Sequence, residues 1–368
     1  MRLVVDALVA KGGQAGLRTH ALGLTRGLAG MQGLRTTVVV DGAAGLEWDD
    51  RLDVVEARLR RNTAVHRAAW RAVHMRRLVR RARADAVLVT SPEWPWTRGT
   101  PTFIWVHDLG PAMAPGLYGR ARWLRYVATL GRTLRRCDGI FAVSNATKLD
   151  VSRWAGVERG RTVRVVPIAG QVLPDSGQLP TPVRGIGEFA LYVGAFLPHK
   201  NVATLLEAWK DGAAGLPLVC VGPDYAGEKA QLLDPLVEGD WIVSPGFVEP
   251  SELGALYREA RVVLLPSLFE GFGLPLAEAQ QFGAPVIASR LPPYAGIARE
   301  NVRFVDDPTS PDEWVTATRD VLTSRLRRNV PGRTAPEFSG WSEVARATVE
   351  GIRLTGREPR AGSGTGPL

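Results

Sequence analysis

The chain is predicted to be α/β, folding as two Rossmann-like domains, each built on a parallel sheet. Three observations carry this. Short aliphatic or β-branched runs alternate with longer helical patterns, as βαβ units produce. The alternation runs through twice, with a Pro- and Gly-rich, poorly periodic stretch at 174–187 between the passes. Finally, 368 residues exceed the size at which one core keeps growing, which favours two domains.

In the first pass the expected strands are 3–5, 36–40, 86–89, 102–106, 139–143 and 163–166. In the second they are 190–193, 216–221, 241–243, 262–265, 286–288 and 302–305. The expected division is residues 1–175, then 176–340, then a terminal helix at 341–354 that can lie on either domain. From 355 to 368 the sequence is too poor in apolar residues to offset its ordering entropy, so a disordered tail is expected.

Composition narrows the class. Hydrophobic residues make up 45% and charged residues 23%, ordinary globular values that argue against disordered, fibrous or membrane-embedded chains. The first apolar run is broken by Asp6 and Lys11, far short of a signal segment, and no stretch approaches the ~20 apolar residues of a membrane helix. A cytoplasmic protein is expected, soluble or peripheral on the inner face of the cell membrane. Cys137 and Cys220 lie in different halves within apolar surroundings, as buried free thiols do.

Charge is one-sided. The first 180 residues hold 28 Lys and Arg against 14 Asp and Glu, a balance of +14, and the remainder holds 18 against 23, a balance of −5. Much of the excess lies in 58–83 (including Arg60, Arg61, Arg67, Arg71, Arg76, Arg77, Arg80 and Arg81) and in 120–136. Two readings stand side by side. The first half faces an anionic partner such as a membrane surface or lipid phosphate, or these arginines are the solvated face of an amphipathic helix. Val65, Ala68, Ala72, Met75, Val79 and Ala82, at three- and four-residue steps, suit the second.

The chemistry-bearing block is Pro266-Ser-Leu-Phe-Glu270-Gly-Phe-Gly-Leu-Pro-Leu-Ala-Glu278-Ala, after the strand at 262–265. It reads as strand, glycine turn and helix start. Gly271 and Gly273 let backbone approach a ligand, and the amides of Phe272, Gly273 and Leu274 point out of a helix N-terminus, where a pyrophosphate is favoured. Glu278 follows on that helix, where a carboxylate can accept two ribose hydroxyls. A lone acidic pair at this spacing is common on ordinary helices, but here it sits inside a longer patterned block.

This block resembles the hallmark of the retaining family 4 glycosyltransferases of GT-B fold, in particular their mannosyltransferase-B-like members. Further resemblance lies in Leu191-Tyr-Val-Gly194-Ala-Phe-Leu-Pro-His199-Lys200-Asn, in Trp105-Val-His107-Asp108-Leu, in Val143-Ser-Asn-Ala-Thr147 and in Phe338-Ser-Gly-Trp341. It implies two Rossmann-like domains facing a central cleft. It also implies Glu270 and His107 as catalytic residues beside the donor sugar, Glu278 on the ribose, and Lys200 with His199 on the diphosphate. Gly12, Gly13 and Gly194 would let backbone approach the donor. A core histidine capping a strand end is the lesser reading of His107, and Gly12-Gly13 taken alone is as readily a plain turn. The chain departs from the pattern at His199, at Ala195 and at Pro293-Tyr294-Ala295.

No two aspartates stand two apart, no Gly-x-x-x-x-Gly-Lys-Ser/Thr loop occurs, and no Cys/His cluster suits zinc. The missing aspartate pair points to a metal-independent transfer, and the resemblance implies that it proceeds with retention, with a nucleotide sugar as co-substrate and no other cofactor. GDP-mannose is the first guess for the donor, and a lipid-linked or saccharide intermediate of cell-surface polysaccharide or glycolipid synthesis is the acceptor. Nucleic acid is not an expected partner. A natural-product glycosyltransferase and a catalytically silent nucleotide-sugar-binding scaffold are the alternatives.

Overall fold

The computed structural model describes residues 1–355 apart from 12–14, 43–47, 98, 157–161, 171, 224–227, 234–240 and 324–339. The tail expected at 355–368 lies outside the described residues from 356 onward.

Two all-parallel sheets form. The first contains β1 (Arg2–Asp6), β2 (Arg35–Val40), β3 (Leu52–Glu56), β4 (Ala86–Val89), β5 (Thr102–Val106), β6 (Gly139–Ala142) and β7 (Val163–Val165), in the order β3-β2-β1-β4-β5-β6-β7. The second contains β8 (Ala190–Val193), β9 (Leu218–Val221), β10 (Ile242–Val243), β11 (Val262–Leu265), β12 (Val286–Ser289) and β13 (Val302–Val305), in the order β10-β9-β8-β11-β12-β13. Sheets covered on both faces by helices need strands buried on both sides, and Thr102–Val106 and Val262–Leu265 are buried throughout. Every run expected as a strand forms one. The strand that the sequence does not signal is β3, whose Asp53 and Glu56 break the aliphatic pattern. As an edge strand it turns both to solvent.

In each sheet the strand order reverses once, between β1 and β4 and between β8 and β11. Adjacent crossovers diverge at such a point and leave a crevice beyond the carboxyl ends of the strands, where ligands of these folds bind.

Helices relevant to that crevice are α1 (Ala15–Ala29), α2 (Ala64–Trp70), α3 (Arg76–Arg81), α4 (Arg120–Arg136), α5 (Asn145–Ala155), α6 (Val202–Trp209), α7 (Leu274–Gln281), α8 (Pro292–Ile297) and α9 (Trp341–Thr355). The last of these returns to the first domain. A Cβ at Gly27 would lie 2.3 Å from the Trp341 carbonyl oxygen, so two small residues on α1, Gly23 and Gly27, admit the start of α9 at backbone contact. Val344, Ala345, Val349 and Ile352 then join the core of the first domain. Phe272 and Ala277 of the second domain join the same core, so it continues across the boundary.

The basic run forms helix as expected, but not with the expected stripe. Met75 and Val79 are buried, whereas Val65 is 66% exposed. A π-helical turn over Arg71–Met75 separates α2 from α3 and shifts the inward face. Arg71 turns inward with it. Its guanidinium reaches Asp6 at the end of β1 (2.6 Å) and also Glu93, which Arg67 pairs as well. Arg67 and Arg71 therefore leave the set of arginines that face solvent or an anionic partner. Burial works against the charge on Arg71, but Asp6 and Glu93 outweigh it and raise its pKa. Cys137 and Cys220 are buried, and among the described residues they form no disulfide.

Replacing Arg71 with Ala would leave the buried Asp6 without its cation and Glu93 with Arg67 alone. The expected loss of stability in urea denaturation is about 3–5 kcal/mol. A loss below about 1 kcal/mol would show that this network is not what holds α2 on the sheet.

Candidate active site

The β8/β11 crevice collects most of the residues singled out from the sequence. After β8 the chain makes a tight turn, Pro198–Lys200, and enters α6 through Asn201, held in a left-handed conformation at φ 53°. Asn and Asp tolerate that region better than most residues. Asn201 donates from its side chain to the Pro308 carbonyl oxygen (2.7 Å), which anchors the turn. The turn aims Lys200 at the loop after β11, where its Nζ donates to Glu270 Oε1 at 2.6 Å. Ser267 Oγ (2.8 Å) and Tyr294 Oη (3.1 Å) donate to the same oxygen. Burial pushes the Glu270 carboxyl up, but the Lys200 charge and the hydrogen bonds from Lys200 and Ser267 outweigh it, so its pKa falls below the ordinary value. Glu270 is thus an ionised carboxylate at neutral pH, with all three donors on one oxygen.

Gly273 begins α7 with φ 104°. Only glycine adopts this readily, and a Cβ there would lie 2.6 Å from the Tyr294 ring. Among the described residues the amides of Gly273 and Leu274 have no hydrogen-bond acceptor. They stand at the positive end of the α7 dipole. Further along α7, Glu278 accepts one hydrogen bond, from Tyr257 Oη at 2.8 Å. Burial raises its pKa to about 7 against the lowering effect of that bond. A carboxylate with one donor and several unfilled lone pairs in a recess is set up to receive donors from a ligand.

The other domain closes on this loop. A Cβ at Gly271 would lie 1.7 Å from the carbonyl oxygen of His107, which follows β5. Ser144 Oγ (2.6 Å) and Thr147 Oγ1 (3.1 Å) donate to the Gly271 carbonyl oxygen, and Thr147 Oγ1 lies 3.2 Å from the His107 carbonyl oxygen. Ser144 also caps α5, accepting from the Thr147 amide. His107 Nε2 contacts the Thr90 carbonyl oxygen at 3.1 Å. Only an N–H suits that contact, so Nδ1 is left as the acceptor. Burial lowers its pKa to about 4, against a smaller raising effect of the Thr90 bond, so the imidazole is neutral at pH 7.

Comparison with known proteins supplies the family. Residues 15–168 match the family described as Glycosyltransferase Family 4, and residues 182–338 match Glycosyl transferases group 1. The O-antigen chain mannosyltransferase B of Escherichia coli is 30% identical over 67% of this chain and 69% of that protein. The chain belongs to the family 4, group 1 glycosyltransferases. The O-antigen chain mannosyltransferase RfbU of Salmonella typhimurium is 26% identical over 59% of this chain and 60% of its own length, so the match covers less than two thirds of that relative. HepE of Anabaena, solved in complex with UDP and glucose, aligns with a TM-score of 0.66 over 97% of this chain and 98% of its own, at 15% identity. That likeness speaks to the fold, which is GT-B.

Within this glycosyltransferase the remaining candidates fall in different places. Gly12 and Gly13 lie outside the described residues. His199 is buried, and its ring stacks on Tyr118 of the first domain at 5.0 Å. Its position is also close enough that a charge on it would lower the Glu270 pKa. The Gly194 amide donates to the Val221 carbonyl oxygen (2.9 Å), so that amide serves the sheet. Phe272 is packed into the first domain's core. Arg290 is paired with Asp306 and lies over the Phe304 ring.

Two residues that sequence reasoning missed complete the site. Tyr294 belongs to the segment noted only as a departure, and it is fully buried with its hydroxyl on Glu270. His20 on α1 is fully buried and meets the His107 ring edge-on at 4.3 Å. Among the described residues neither of its nitrogens has a hydrogen-bond partner. Burial and the neighbouring His107 keep it neutral. A lone histidine in a helical pattern carries no signal of this.

The raised pKa of Glu278 has a stability consequence. A carboxyl whose folded pKa lies above its unfolded value stabilises the fold fully below the unfolded value, and that contribution disappears as pH rises through the folded one. Glu278→Gln removes the ionisation. The unliganded variant should gain on the wild type between pH 4.5 and 7 and be more stable by about 1–3 kcal/mol at pH 8, read from denaturation at several pH values. A stability difference independent of pH would contradict the environment described here.

Proposed function

We propose that this enzyme transfers a hexose from a nucleoside diphosphate sugar to an acceptor hydroxyl with retention of anomeric configuration, in the synthesis of a cell-surface polysaccharide or glycolipid. The observation that carries the donor half is the set gathered at the β8/β11 crevice: Lys200, the two open amides that begin α7, and the under-satisfied Glu278 carboxylate.

The chemistry follows from where charge develops. As the bond from the anomeric carbon to the diphosphate lengthens, negative charge grows on the departing oxygen, and groups already aimed at that charge lower the barrier. Lys200 supplies a point charge on a long stem, and the α7 amides supply fixed dipoles. To serve the diphosphate, Lys200 must loosen its contact with Glu270. Ser267 and Tyr294 keep that carboxylate in place when it does. The second oxygen of Glu270 is then available to a hydroxyl of the donor sugar and opposes the positive charge that develops on the ring. Neutral His107, with Nδ1 as acceptor, is suited to another sugar hydroxyl. Glu278 receives the ribose. Because a lysine and a helix terminus meet the diphosphate, catalysis does not depend on a divalent ion.

Mannose is the first donor sugar to test, since both curated relatives are named as mannosyltransferases, and guanine is the first base. The UDP in the HepE structure makes uracil the second. On the acceptor side, exposed Arg76, Arg77 and Arg80 lie on α3 beside the exposed Val73, and exposed Val65 lies on α2, a mixture of charge and apolar surface suited to an anionic membrane. Among the described residues no helix is long and apolar enough to cross one. The scaffold alternative has less support, because Glu270, Glu278 and Lys200 are all present and grouped.

Incubation with GDP-, UDP- and dTDP-sugars in EDTA should show slow hydrolysis of one donor. Glu270→Gln should reduce the rate by about 10²–10³ with little change in nucleotide affinity. Hydrolysis that needs added manganese or magnesium, or a Glu270→Gln variant with full activity, would contradict the mechanism. Sedimentation with phosphatidylglycerol vesicles should weaken as salt rises and on Arg76→Glu with Arg80→Glu. Equal retention on neutral vesicles would contradict the membrane contact.

A further inference from the structure

At the opposite end of the first sheet lies a second concave site. The strands are all parallel, so their first residues share one edge and their last residues the other. His107 follows the last residue of β5, at the cleft edge. Arg2 and Arg35 are the first residues of β1 and β2, and Asp53 is near the start of β3. With Thr37 and with Arg81 and Arg83 at the end of α3, they line a cavity of about 420 Å³. A five-residue strand spans roughly 16 Å, so this cavity is separated from the cleft by the thickness of the domain.

Four guanidiniums around one carboxylate make the cavity strongly cationic. Among the described residues none of the four forms an ion pair or a side-chain hydrogen bond, although Asp53 is within the same lining. This contrasts with Arg67 and Arg71, whose charges are consumed by Asp6 and Glu93. Arg2 and Arg35 are also direct partners in the β1/β2 register. Like charges facing each other across a ladder repel and destabilise the pair. Arg83 takes the left-handed conformation at φ 48° where α3 ends, with the Ala84 amide closing on the Val79 carbonyl oxygen, a position that glycine fills at lower cost. The repulsion left standing at the recess is relieved by an anion placed between the arginines. Guanidiniums in a fork match the oxygens of a phosphate, and a polar recess of this volume holds a phosphate-bearing group with part of what it is attached to.

We infer that the recess between the starts of β1, β2 and β3 and the end of α3 is a second, non-catalytic anion site, which binds a phosphate-bearing group. The group is either the headgroup of an anionic lipid or a soluble phosphorylated molecule. The site is independent of the donor cleft and of the reading given to it.

The test uses pyrophosphate as the probe, titrated by calorimetry into the full chain. Lys200→Met serves as the background, so that the cleft contributes as little as it can. Arg35→Gln combined with Arg83→Gly removes two of the four charges, and glycine fills position 83 at lower cost, so the variant is expected to fold. Pyrophosphate affinity should fall at least about tenfold in that variant and remain within about twofold in the control Arg153→Gln with Arg346→Gln, whose exposed arginines do not line the recess. With that result, phosphatidate vesicles identify the source. A lipid headgroup requires that the Arg35/Arg83 variant bind them less and that pyrophosphate compete, and a soluble ligand requires that vesicle binding be unchanged. Equal pyrophosphate affinity in both variants, or no binding in the Lys200→Met background, would overturn the site. If Lys200→Met itself changes nothing, the donor reading fails while the comparison of arginine variants still stands.

Discussion

The His107 carbonyl oxygen occupies the space that any side chain at residue 271 would need. On this one contact the relation between the two domains depends. It brings the end of β5 against the loop after β11, and the hydroxyls of Ser144 and Thr147 fasten the same glycine carbonyl. Phe272, the next residue, is then drawn into the first domain's core, and α9 binds that core from the other side. A GT-B enzyme has two independent sheets, so its reacting groups come from separate scaffolds. Here a glycine at backbone contact sets how near they stand.

The electrostatics of the cleft are arranged by the same packing. Three charge states are set by three environments. Glu270 stays ionised because Lys200 and Ser267 compensate its burial. His107 is neutral because its burial is met only by a carbonyl. Glu278 is poised between its two states because one tyrosine is too little compensation for its recess. An unliganded carboxylate left this incomplete works against stability at neutral pH, and sites that bind polar ligands carry such costs.

Much of this was legible in the sequence, for identifiable reasons. Strands buried on both faces must be continuous aliphatic runs, so β1, β2 and β4 to β13 are visible as such. The Glu270 to Glu278 block is visible because a strand, a tight glycine turn and a helix start impose residue types at fixed spacing. The edge strand β3 escaped because Asp53 and Glu56, exposed on opposite faces, leave only two consecutive aliphatic residues between them. The roles of Arg71, His20 and Tyr294 escaped because each depends on a partner far away in the chain, namely Asp6, His107 and Glu270. The amphipathic pattern of α2 and α3 gave the helix correctly but misplaced its inward face, since a π turn is invisible to a count in steps of three and four. Ser144 caps α5, and its hydroxyl and that of Thr147 also reach the Gly271 carbonyl oxygen of the other domain, a contact between residues far apart in the chain.

The central claim is that the Gly271 contact aligns the two halves for transfer, while the donor is held by Lys200, α7 and Glu278. Kinetics and nucleotide calorimetry on Gly271→Ala test it most directly. An added methyl group must push the His107 carbonyl away, and misplacement of about 1 Å can cost 10²-fold in rate. The account predicts a fall in kcat of about that size together with a loss of folding stability, while nucleotide affinity of the folded protein stays close to that of the wild type. Wild-type turnover in a folded Gly271→Ala protein would contradict it.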